Sequence, residues 1–93
     1  MTLALDQVAQ TLQLSPDKLW RESLRAYLSR QQRVIQIDIA DLQDRYGVAT
    51  VTELAQRIEQ GEIYSHPAWE DLIEWENLLA HLERLEYLEA TVA

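Results

Sequence analysis

The sequence predicts an all-α fold: a long helical hairpin, with a short N-terminal helix in front of it and a short helical elbow between its arms. Three observations carry that expectation. Leucine, alanine, glutamate, glutamine and arginine dominate the composition, and these residues lose least on entering a helix. Only two glycines and two prolines occur in 93 residues, too few for a succession of β-turns. Apolar residues recur at intervals of three, four and seven over two long stretches. A chain of this length makes a single helical domain, residues 1–93. It buries only roughly 60–65% of its unfolded surface, so a homodimer formed through the long helices is expected.

The elements follow in order. Residues 3–13, LALDQVAQTLQ, put Leu5, Val8, Ala9 and Leu12 on one helical face. The stretch LSPDKL then breaks and restarts the chain. Pro16 keeps Ser15 out of the α region and suits the first helical position, so Ser15 is the N-cap and Asp17 sits in the positive first turn. Leu14 and Leu19 take the two ends of a hydrophobic staple. Trp20, Leu24, Tyr27, Leu28, Gln31, Ile35, Leu42 and Tyr46 carry a long helix to Gly47, which stops it. Inside that helix VIQIDI, residues 34–39, alternates β-branched and polar residues, which is also strand chemistry. A strand here would have to pair across chains, because no second strand is visible. Helix is preferred, since no turn residue separates the segment from its neighbours.

Thr50 opens the elbow, with Glu53 three residues on as a capping box. Val51, Leu54, Ala55 and Ile58 form its stripe, and Gly61 ends it. The last helix begins at Pro67, with His66 as its cap and Glu70 and Asp71 near the positive dipole end. Trp75, Leu78, Leu82 and Leu85 continue it to about residue 90. The core and dimer line is therefore Trp20, Leu24, Leu28, Ile35 and Leu42 on one arm, and Leu78, Leu82 and Leu85 on the other.

Charge divides the chain. The net charge is −8. Residues 1–33 hold five basic and three acidic side chains and are mildly basic; residues 34–93 hold three basic and thirteen acidic ones, a net of −10. Such asymmetry suggests two surfaces with different partners. Cysteine is absent, Asp6 stands where a signal peptide needs an apolar stretch, and no apolar run approaches a membrane span. A cytoplasmic protein with no membrane partner is the expectation.

Catalytic and metal chemistry find no foothold in the sequence. His66 and His81 lack HxxxH or HExxH spacing, and Leu78 stands where a di-iron bundle would have glutamate before His81. Carboxylates abound, but an acid–base pair needs a cleft and shifted pKa values. No nucleophile triad or glycine-rich phosphate loop accompanies them. The chain is expected to be no enzyme and to hold no cofactor. Helix-turn-helix spacing in VAQTLQLSPDKLWRESL would aim Lys18, Arg21 and Arg25 at DNA, yet Gln13 replaces the usual turn glycine and the chain is acidic. A plain helical hairpin is the commoner reading of that pattern.

The acidic run HPAWEDLIEWENLL is more informative. Trp69, Leu72, Ile73 and Glu76 share one side of a helix, and Asp71, Trp75, Leu78 and Leu82 another, so its apolar surface is wider than one seam. Packing within the chain or a dimer is the default for such a face. Aromatic anchors ringed by acid also suit a basic protein, through apolar hot spots and electrostatic steering. Trp69, Glu70, Asp71, Glu74, Trp75 and Glu76 are the candidate partner-binding residues. Of the two tryptophans, one is expected to face inward and the other outward.

The stretches LSPDKLWRESLRAYLSRQQR, RYGVATVTELAQRIEQGEI and HPAWEDLIEWENL, within residues 8–79, together resemble the short antitoxins of prokaryotic type II toxin–antitoxin pairs. The most specific pieces are Tyr46-Gly47-Val48 followed by Glu53-Leu54 and Gly61, and Trp69-Glu70-Asp71 with Trp75-Glu76. The resemblance implies an N-terminal part that dimerises and binds operator DNA, and a C-terminal part that wraps and blocks a basic toxin. Residues 1–7, MTLALDQ, do not read as the strand of a ribbon-helix-helix head. The expected function is thus a non-enzymatic, antitoxin-like protein that neutralises a basic partner. The alternative is a helical homodimeric assembly or adaptor module.

Overall fold

The structure, a computed structural model, describes the backbone of residues 2–92 and the side chains of residues 4–92. Four helices follow in order: α1 (Thr2–Leu12), α2 (Pro16–Tyr46), α3 (Val51–Glu59) and α4 (Ser65–Val92). No strand occurs among the described residues, and residues 34–39 lie within α2. The alternating isoleucines are therefore laid out at helical pitch: Ile35 is buried, Ile39 half-buried and Ile37 exposed. A helix pairs its backbone groups internally, whereas a lone strand would leave them unpaired.

Local chemistry sets the junctions. Ser15, extended at φ −70° and ψ 144°, accepts a 3.0 Å hydrogen bond from the Lys18 N–H, with Pro16 next to it. Thr50 accepts from the Glu53 N–H at 3.1 Å. The Glu53 carboxylate reaches back one residue further than a capping box requires, to the Ala49 N–H at 3.0 Å, and pairs with Arg57 at 2.9 Å. Helices α1, α2 and α3 close alike. Gln13, Gly47 and Gly61 adopt φ of 59°, 62° and 75°. The next N–H then bonds the carbonyl five residues earlier: Leu14 to Ala9 at 2.8 Å, Val48 to Gln43 at 3.1 Å, Glu62 to Arg57 at 3.0 Å. In α4, His66 is extended at φ −106° and ψ 109°, and the regular helix continues from Pro67.

Helices α2 and α4 pack antiparallel along one seam. At the elbow end, Leu42 of α2, Val48, Leu54 of α3, and Leu72 and Trp75 of α4 form a buried cluster, flanked by Tyr46, Val51, Ile58 and Ile63. Further along, Leu28 and Ile35 meet Leu85, with Leu82 and Val92 beside them. Ile39 and Leu78 touch both clusters. Gln32 donates to the Glu89 carboxylate across the same seam.

The expected core line is thus intramolecular from Leu28 to Leu42 and from Leu78 to Leu85, and Leu24 is half-buried. Trp20 departs from it, being 54% exposed. The last described turn of α4 lies beside Arg25 and Leu28, so it does not extend over Trp20. The first turns of α2 are flanked instead by α1, where Ala9 is buried. The result is a rod of 61 × 19 × 19 Å with a radius of gyration of 19.3 Å, against about 12 Å for a compact chain of this length.

The caps lead to a stability test. A Cβ at Gly47 would meet nothing within 4 Å, so Gly47→Ala carries only the cost of the left-handed backbone. Urea unfolding is expected to show a loss of about 1 kcal/mol for Gly47→Ala, and a gain of up to about 1 kcal/mol for Gln13→Gly, which relieves a non-glycine residue at positive φ.

Candidate functional site

The acidic aromatic run occupies the first turns of α4, and the core decides which of its side chains stay free. Trp75 is 2% exposed and packs among Leu42, Val48, Leu54 and Leu72. It is a core residue and is withdrawn from the expected partner surface. Trp69, six residues earlier, lies about 120° away around the helix and is 52% exposed. One tryptophan faces in and one out, as expected.

Asp71 is also committed within the chain. Its carboxylate accepts from the Tyr46 hydroxyl and from the Arg45 guanidinium, the latter at 2.9 Å. The contact ties the start of α4 to the last turn of α2. Burial, reinforced by donation to Asp71, raises the Tyr46 pKa above its ordinary value. The hydrogen bond and charge of the same carboxylate raise that of Arg45. Asp71 is half-buried, so its free capacity for a partner is small.

What remains outward is Trp69, Ile73 and Glu76 at helical spacing, with Glu70 and Glu74 beside them. None of these acids forms an ion pair among the described residues. Tyr64, just before the helix, is exposed as well. The face is therefore apolar at its centre and anionic at its rim.

The basic candidates lie at the other end of the rod. Lys18, Arg21 and Arg25 are exposed along the first turns of α2. Arg21 pairs with Asp17 at 3.1 Å, and Glu22 lies among the three, so the face is mixed in charge. His66 and His81 are exposed, the latter with its Nδ1 3.2 Å from an Arg84 nitrogen. Among the described residues no helix is long and apolar enough to cross a membrane.

One feature escaped the sequence reading. Trp20, Tyr27, Val34 and Ile37 leave 54%, 58%, 48% and 54% of their surface exposed. Trp20, Tyr27 and Val34 stand seven apart, as do Leu28, Ile35 and Leu42, and the pairs Tyr27-Leu28 and Val34-Ile35 are adjacent. Two heptad lines offset by one residue were the available signal. Reading every apolar residue into one face hid it.

A family model described as the uncharacterized protein MJ0235 family matches residues 1–89. No curated protein and no solved structure matches the chain.

The two tryptophans of α4 should part company on truncation. Trp75→Ala is expected to cost about 3–5 kcal/mol or to abolish the cooperative transition, and Trp69→Ala to stay within about 0.5 kcal/mol. In a double-mutant cycle, Tyr46→Phe and Asp71→Ala should be less than additive by about 1 kcal/mol, because each removes the same hydrogen bond. Full additivity would show that the hydroxyl and carboxylate do not interact.

Proposed function

The chain belongs to the MJ0235 family, and we propose that it is a non-enzymatic protein-interaction module that binds a basic partner protein through the outer face of α4. The observation that carries this reading is Trp69, half out of the fold beside Ile73, with Glu70, Glu74 and Glu76 unpaired around it among the described residues. Leaving a tryptophan in water forgoes several kilocalories of transfer free energy, which a partner can recover. The surrounding carboxylates steer a cationic surface toward it. The charge split supports the same partner, since this face belongs to the part of the chain with net charge −10.

A basic toxin is one partner of that chemistry, the one that the resemblance to antitoxins implies. On this reading the docking set is Trp69, Ile73, Glu70, Glu74 and Glu76. Trp75 and Asp71 serve by holding the helix that presents them.

Co-expression with the product of the adjacent gene, followed by purification and titration, tests the proposal. Binding should weaken steeply with salt, and Trp69→Ala or Glu70→Lys with Glu74→Lys should weaken it roughly tenfold or more. Relief of that product's toxicity would support the antitoxin form. Absence of binding, or binding indifferent to all three substitutions, would overturn it.

A further inference from the structure

We propose that the second apolar stripe of α2, formed by Trp20, Tyr27, Val34 and Ile37, is the contact face of an antiparallel homodimer. The proposal is independent of the partner-binding face on α4. It divides the expected core and dimer line: Leu28, Ile35 and Leu42 are core residues covered by α4 of the same chain, and Trp20 stays exposed.

Three observations select a second copy as the occupant. The first is geometry. The stripe keeps a heptad spacing over four turns of one continuous helix, which is the spacing another long helix needs in order to pack along it. The chain itself contains such a helix.

The second is area. The chain exposes 6925 Å², against about 5,600 Å² for a compact protein of its mass. The excess of roughly 1,300 Å² exceeds the about 800 Å² that each partner contributes to an ordinary stable interface. This stripe is a part of that surface with heptad order.

The third is charge, and it fixes the direction. The first part of α2, residues 16–33, carries Lys18, Arg21, Arg25, Arg30 and Arg33 against Asp17 and Glu22. The second part, residues 34–46, carries Asp38, Asp41 and Asp44 against Arg45, and Arg45 is taken by Asp71. A parallel pair would set like charges level with one another. An antiparallel pair sets the basic part of each helix against the acidic part of the other. With Val34 opposite Ile37 of the second copy, Arg30 falls opposite Asp41 of that copy and Tyr27 opposite Asp44. Both copies make each contact. Trp20 then falls level with residue 51 of the second copy, past Tyr46 where that copy's α2 ends. Neither Arg30 nor Asp41 forms an ion pair among the described residues, and both are exposed.

Sedimentation equilibrium on the full chain at low micromolar concentration tests this. The wild type should have the mass of two chains. Arg30→Asp alone and Asp41→Arg alone should each weaken association roughly tenfold or more, because each places two repulsive pairs in the interface. The double variant Arg30→Asp/Asp41→Arg should restore it. Val34→Lys should yield a helical monomer by circular dichroism. A monomeric wild type would overturn the proposal. A dimer unaffected by the single reversals would overturn the antiparallel register.

Discussion

The fold depends on the burial of Trp75. This side chain closes the elbow end of the α2–α4 seam and is the largest one fully withdrawn from water. Its burial is worth of order 5 kcal/mol, a large share of what a domain this small can have. It also fixes geometry. Trp75 touches the cluster that contains Leu42 of α2, Val48 of the turn and Leu54 of α3, so one side chain holds three segments in register. The Asp71 contacts with Tyr46 and Arg45 lie one helical turn away and lock the same junction from its rim. Beyond this junction the seam continues as leucines and isoleucines, with α2 overhanging α4 at its first turns.

A two-helix rod can bury only one stripe of each long helix. That constraint accounts for most of what remains unusual about the surface. With 47% hydrophobic residues, the chain has more apolar side chains than one seam can hold. The surplus is spread over three helices: Val8 and Leu12 on α1, a second heptad line on α2, and Trp69, Ile73, Leu79, Tyr87 and Leu88 on α4. Acidic residues flank Trp69 and Ile73, whereas the α2 stripe is bordered by Arg30 in its first part and Asp41 in its second. The two surfaces proposed above as interaction sites lie on different helices.

Much of this was legible in the sequence. Ser15 and Thr50 supply side-chain acceptors that few residue types offer, and Gly47 takes a positive φ that few tolerate, so they mark helix ends reliably. The line Leu28, Ile35, Leu42 stands out because its spacing matches the helical repeat. The VIQIDI segment was ambiguous locally and was decided by what flanks it. Two features needed three dimensions. Gln13 takes a left-handed turn that glycine would normally signal, because Leu14 bonds the Ala9 carbonyl there. The sorting of Trp69 from Trp75, and of Asp71 from Glu70, depends on which side of α4 meets Tyr46 and Leu54. Spacing alone shows that the two tryptophans diverge, but not which one the elbow covers.

The most direct measurement is the fluorescence of three single-tryptophan proteins, each retaining Trp20, Trp69 or Trp75 with phenylalanine at the other two positions, at concentrations dilute enough to be monomeric. The Trp75 protein should emit at short wavelength and resist acrylamide. The Trp20 and Trp69 proteins should emit at long wavelength and be quenched readily. Protected emission from Trp69 together with accessible emission from Trp75 would contradict the placement of α4 on which the proposed partner surface rests.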